Sequence, residues 1–106
     1  MQPVSEIAAK PAAKFALLTN HAYVLMIIAL KPDVRVREIA VEIGITERAV
    51  QRIIEELTST GYIAVTKDGR RNHYQLRMEH PLEHPVEHSR NLGDLLRFML
   101  PKLDAA

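Results

Sequence analysis

Residues 36–65 read VREIAVEIGITERAVQRIIEELTSTGYIAV, and the spacing of apolar side chains in this stretch decides the fold. In its second half Val50, Ile53, Ile54 and Leu57 recur at the interval that gathers side chains on one face of a helix. Thr46 ahead of them is a strong N-cap, because its hydroxyl can accept from an orphan N–H of the first turn. Ile45 and Val50 occupy the two positions of a hydrophobic staple, and Glu47 lies where the helix dipole is positive. Gly61 follows as a natural stop, so a helix over 46–60 is predicted. Upstream, Ile39, Ala40 and Ile43 form the inward stripe of a shorter helix over 36–43. Its cap position falls on Arg35, a poor capping residue, but Val34 and Ile39 repeat the staple spacing. Gly44 stands between the two helices, where a tight turn is needed. Helix, glycine turn, helix is a helix-turn-helix unit.

Downstream, Tyr62 to Thr66 is rich in β-branched and aromatic residues, and 71–76 returns with RNHYQL. Between them Asp68-Gly69 is a strong hairpin signal. Ile63 and Val65, with Tyr74 and Leu76, make the inward face at period two. Upstream, Thr19 or Asn20 caps a helix that ends near Leu30, before Lys31-Pro32-Asp33. This helix is apolar almost all round, which suits the middle of a domain or a subunit interface. Phe15, Leu17 and Leu18 are expected to begin the core, and residues 1–14 to form a loose arm. After the hairpin, 79–87 reads EHPLEHPVE, whose two prolines forbid a regular helix. A last helix is expected from Asn91, which with Asp94 resembles a capping box, and Pro101 shortens it. The class is α+β, mostly α: a winged helix-turn-helix of three helices plus a β-hairpin wing over 15–77. A His/Pro-rich strap over 78–90 and an added C-terminal helix over 91–106 follow it.

The chain has 106 residues, room for one domain, and a formal net charge of only +1. Residues 31–77 carry nine Lys/Arg against seven Asp/Glu, whereas 78–106 carry three against five, so the small basic excess lies mid-chain. The absence of cysteine excludes disulfides, thiolate metal sites and cysteine nucleophiles. The longest apolar run, Ala22 to Leu30, is far shorter than the roughly 20 residues of a membrane span. No secretory leader is legible, so a cytoplasmic protein is expected. No nucleotide loop, HExxH motif or catalytic triad spacing occurs, and the chain is not expected to be an enzyme or to need a cofactor.

The 36–65 stretch, followed by DGRRNHYQL over 68–76, resembles winged-helix regulators of the MarR and ArsR type. The likeness covers Leu18 to Leu76. It implies a usually dimeric DNA-binding transcriptional regulator, with 46–60 as the recognition helix in the major groove and 67–72 as a basic wing tip. Two departures stand out. The flanks are too short for the long helices that enclose a ligand pocket in larger MarR proteins, and the cysteine pair of metal-sensing ArsR proteins is missing.

If Val50, Ile53, Ile54 and Leu57 face inward, then Glu47, Arg48, Gln51, Arg52 and Glu55 face outward. Arginine can bond guanine bidentately and glutamine can bond adenine, so Arg48, Gln51 and Arg52 are the candidate base readers. Thr46 suits a phosphate at the helix N-terminus. Lys67, Arg70, Arg71 and Asn72 at the hairpin tip, and Arg35 and Arg37 at the start of the second helix, suit the DNA backbone. Each cation alone is equally a solvated surface group, and Arg52–Glu56 is an ordinary surface pairing distance. Only their joint placement on one scaffold favours DNA.

Leu92, Leu95, Leu96 and Met99 form one apolar stripe, expected as the homodimer interface, with packing inside one subunit as the competing arrangement. His80, His84 and His88 recur every four residues, and imidazole suits zinc or nickel. A metal-responsive regulator is therefore an alternative, although Pro81 and Pro85 deny these histidines a common helical face. A winged helix used as a protein-interaction module is another. The effector, metal or small molecule, is left open.

Overall fold

Thr19 starts the first helix: its hydroxyl accepts from the Ala22 N–H at 3.3 Å, and α1 runs Asn20–Leu30. The computed structural model describes residues 15–87 and 89–103. The expected arm over 1–14, His88 and residues 104–106 therefore lie outside the described residues. Helix α1 is the hub. Val24, Leu25, Ile27 and Ile28 are buried, and neighbours pack on it from several sides. Burying such a side chain contributes roughly 1.5–3 kcal/mol, which sustains a helix that has no polar face of its own. Phe15 and Leu17, expected in the core, are instead 80% and 86% exposed. They precede the first turn of α1, where no described element covers them, and only Leu18 is half-buried.

Helix α2 spans Val36–Ile43 and buries Ile39 and Ala40. Gly44 ends it in the left-handed conformation, φ 85°, and its N–H bonds the Ala40 carbonyl. Helix α3 spans Glu47–Ser59 and buries Val50, Ile53, Ile54 and Leu57. Strands β1 (Ile63–Asp68) and β2 (Arg71–Leu76) pair antiparallel, with Ile63 opposite Leu76 and Val65 opposite Tyr74. The strands reach further than the sequence pattern suggested. Asp68 pairs with Arg71, so the turn is centred on Gly69-Arg70 rather than Asp68-Gly69. Gly69 has φ 65° and Arg70 does not share the positive sign, the φ pattern of a type II′ hairpin. The expected inward face holds for Ile63 and Tyr74, whereas Val65, nearer the tip, is exposed. The Tyr74 N–H donates to the Pro32 carbonyl at 2.9 Å, tying the outer side of β2 to the α1–α2 connection.

The strap opens on a turn at Met78-Glu79, where the His80 N–H bonds the Arg77 carbonyl, and continues without helix to a short 3₁₀ turn at Pro85–Glu87. It runs antiparallel to the approach of the last helix: Leu82 N–H donates to Arg90 O, and Pro81 bridges Asn91. Helix α4 (Leu92–Met99) has only eight residues, and its first donors are all satisfied. Leu92 N–H bonds the His80 carbonyl, Gly93 N–H the Met78 carbonyl, and Asp94 N–H the Asn91 side chain. The strap thus serves as the N-terminal cap of α4. Pro101 opens a 3₁₀ turn, Pro101–Leu103, after α4.

Among the described residues, four helices and a two-stranded hairpin, mostly helical, make a winged helix. No helix among the described residues is long and apolar enough to cross a membrane.

Candidate nucleic-acid interface

The inward stripe of α3 fixes where its polar side chains go. With Val50, Ile53, Ile54 and Leu57 in the core, Glu47, Arg48, Gln51, Arg52 and Glu55 are all exposed. Thr46 Oγ1 accepts from the Ala49 N–H at 3.0 Å, which fixes the first turn. Thr46, Arg48, Gln51, Arg52 and Glu55 line a shallow groove along this face. Neither Arg48 nor Arg52 enters an ion pair with any described residue. The Arg52–Glu56 pairing that the spacing allowed does not form, because Glu56 Oε1 lies 2.7 Å from His21 Nε2 on α1. The outer face of α3 presents two uncommitted guanidinium groups with a carboxamide between them in sequence.

A second groove lies between the start of α2 and the wing, lined by Arg35, Val36, Arg70, Arg71, Asn72 and Tyr74 among others. The β2–Pro32 hydrogen bond holds these two parts together. Arg35 sits at the N-cap, and its backbone N–H donates to Glu38 Oε1 at 2.9 Å. That bond holds the Glu38 carboxyl below the ordinary glutamate range; partial burial opposes it, and Lys31 Nζ at 3.3 Å assists. Glu38 at the third helical position repairs a cap that looked poor from Arg35 alone. Arg71 Nη2 lies 4.0 Å from Asp33 Oδ2, so part of its charge steadies the wing. Arg70, at the turn, has no ion-pair partner among the described residues.

The two grooves gather eight of the eleven candidate residues: Thr46, Arg48, Gln51 and Arg52 in one, Arg35, Arg70, Arg71 and Asn72 in the other. Arg37, Glu47 and Lys67 are exposed but line neither. Sequence reasoning missed Asp33 and Tyr74. Asp33 is far from Arg71 in sequence and carries no local signal, and the period-two pattern assigns Tyr74 only to the core.

The packing bears on two further expectations. Leu92 and Leu96, placed in a subunit interface by their stripe, are fully buried within their own chain and belong to the core shared with α1. The strap fixes the entry of α4 and turns this edge inward. Leu95 is half-buried, Met99 is partly exposed, and Phe98, outside the stripe, is 82% exposed. Of the strap histidines, His80 packs against the Tyr62 ring at 4.4 Å and its Nδ1 lies 2.9 Å from the Pro81 carbonyl. Burial in this corner pushes the Tyr62 phenol up. His84 Nδ1 accepts from the Val86 N–H at 3.2 Å. Among the described residues no group of three His, Asp or Glu is placed to hold a metal ion, and His88 lies outside them.

A three-helix core, a glycine-turned helix pair with an open polar face and a basic hairpin beside it define a winged helix-turn-helix protein. The sequence pattern of the MarR family matches residues 17–71, from just before α1 to the first residue of β2, and the chain belongs to that family. The family is one of DNA-binding transcriptional regulators, not of enzymes. No curated protein matches the chain.

Proposed function

We propose that this chain binds double-stranded DNA sequence-specifically as a homodimer and represses transcription by occupying a promoter. Residues 15–77 contact DNA. Helix α3 enters the major groove, where Arg48, Gln51 and Arg52 read base edges and Thr46 meets a phosphate beside Glu47. Arg35, Arg37, Lys67, Arg70, Arg71 and Asn72 hold the backbone and set the register. The observation that carries this reading is the open outer face of α3, on which Arg48 and Arg52 are exposed and unpaired among the described residues. Both charges can meet an anionic partner without breaking an ion pair to any described residue.

Dimerisation falls to the C-terminal segment, through Leu95, Met99 and Phe98. A two-fold dimer sets its recognition helices about 34 Å apart and asks for a palindromic site. The working compartment is the one that holds the DNA, the cytoplasm of a cell without a nucleus.

Selection of duplexes from a random pool, followed by gel shifts at low and moderate salt, tests the reading. A palindromic sequence bound more tightly than the pool is the expected result. Absence of binding at both salt concentrations would falsify it and leave the winged helix as a protein-interaction module.

A further inference from the structure

We propose that Tyr74 is a positioning residue of the DNA interface: its hydroxyl holds Asn72 in the groove between α2 and the wing, ready for a backbone phosphate. The proposal rests on the DNA-binding reading above. Tyr74 is 2% exposed, and its ring is part of the main core. Its backbone is fixed as well, by pairing with Val65 on one side and by the 2.9 Å bond to the Pro32 carbonyl on the other. Core packing alone would be served by phenylalanine, since a buried hydroxyl is costly unless it is hydrogen-bonded. The hydroxyl therefore calls for a role.

Its partner is Asn72, whose Nδ2 donates to Tyr74 Oη at 3.3 Å. The two residues are two apart on β2 and so share one face of the strand. Both line the groove that also contains Arg35, Arg70 and Arg71. Asn72 keeps a second amide N–H, and the Tyr74 hydroxyl proton has no acceptor among the described residues. An anion entering between these cations meets the second Asn72 amide N–H, whose position is set through Tyr74 by the core rather than by the wing tip. DNA phosphate fits that chemistry: three cations supply attraction, while a rigidly held neutral donor supplies register.

The test compares Tyr74→Phe, Asn72→Leu and the double variant with the wild type. Binding is measured on the best selected duplex and on an unrelated one, across a salt series. Each single variant is expected to weaken both duplexes by about three- to tenfold. The salt slope should stay unchanged, because no charge is removed. The double variant should bind no worse than either single one, the mark of residues acting through each other. Wild-type affinity in Tyr74→Phe or Asn72→Leu, or losses that multiply in the double variant, overturns the proposal. Thermal unfolding checks that Tyr74→Phe is folded; if it is not, Asn72→Leu alone decides by the same criteria. A wild type that binds no duplex at all removes the DNA reading itself, and this proposal with it.

Discussion

Helices α3 and α4 look alike as patterns and serve opposite ends. Both begin at a good N-cap, Thr46 and Asn91, whose side chains accept from the third helical N–H, and both carry one apolar stripe. In α3 the stripe lies against the core and the polar side stays open, leaving Arg48 and Arg52 exposed and unpaired among the described residues. In α4 the stripe is divided: Leu92 and Leu96 complete the core, while Met99 keeps part of its surface and Phe98 beside it nearly all. An amphipathic pattern states how much apolar surface a helix must cover. What covers it depends on where the neighbouring chain directs the helix, and here the strap carbonyls of Met78 and His80 direct α4.

The sharpest way to break this contrast is Leu96→Ala. Leu96 has no exposed surface, so truncation should cost about 2–5 kcal/mol of unfolding free energy in a denaturant titration. A helix that served only as a subunit contact would lose association instead and keep the stability of the single chain. On α3 the corresponding change is Arg48→Ala or Arg52→Ala, each expected to weaken a selected duplex by about 1–3 kcal/mol with thermal stability unaltered. Arg70→Ala should weaken all duplexes alike and lower the salt slope by about one, which separates backbone holding from base reading. Equal, sequence-blind losses at Arg48 and Arg52 would remove the base-reading role.

Smaller effects sharpen the comparison at the helix starts. Thr46→Ala and Asn91→Ala each remove one side-chain cap and should cost about 1 kcal/mol. Asn91→Ala should be the milder of the two, because strap carbonyls still satisfy Leu92 and Gly93 N–H. Smallest of all, Phe98→Ser should change the stability of the isolated chain by no more than about 0.5 kcal/mol. Its effect belongs in sedimentation at increasing concentration, where the proposed dimer should weaken.

Local chemistry determined much of this protein in advance. Caps at Thr46 and Asn91, Thr19 as one of two candidate caps, the stop at Gly44 and the inward Ile63 and Tyr74 of the hairpin were legible from local pattern. The same holds for the outward set on α3, which follows once Val50, Ile53, Ile54 and Leu57 are turned inward. Tertiary structure decided what joins distant segments: Asp33 beside Arg71, His21 beside Glu56, and Tyr62 under His80. It also decided that Phe15 and Leu17 are exposed and that Leu92 and Leu96 are covered. The physical reason is one of range. Hydrogen bonds and backbone preferences act between near neighbours and leave a trace in the sequence, whereas burial is non-directional and depends on how all the elements pack together.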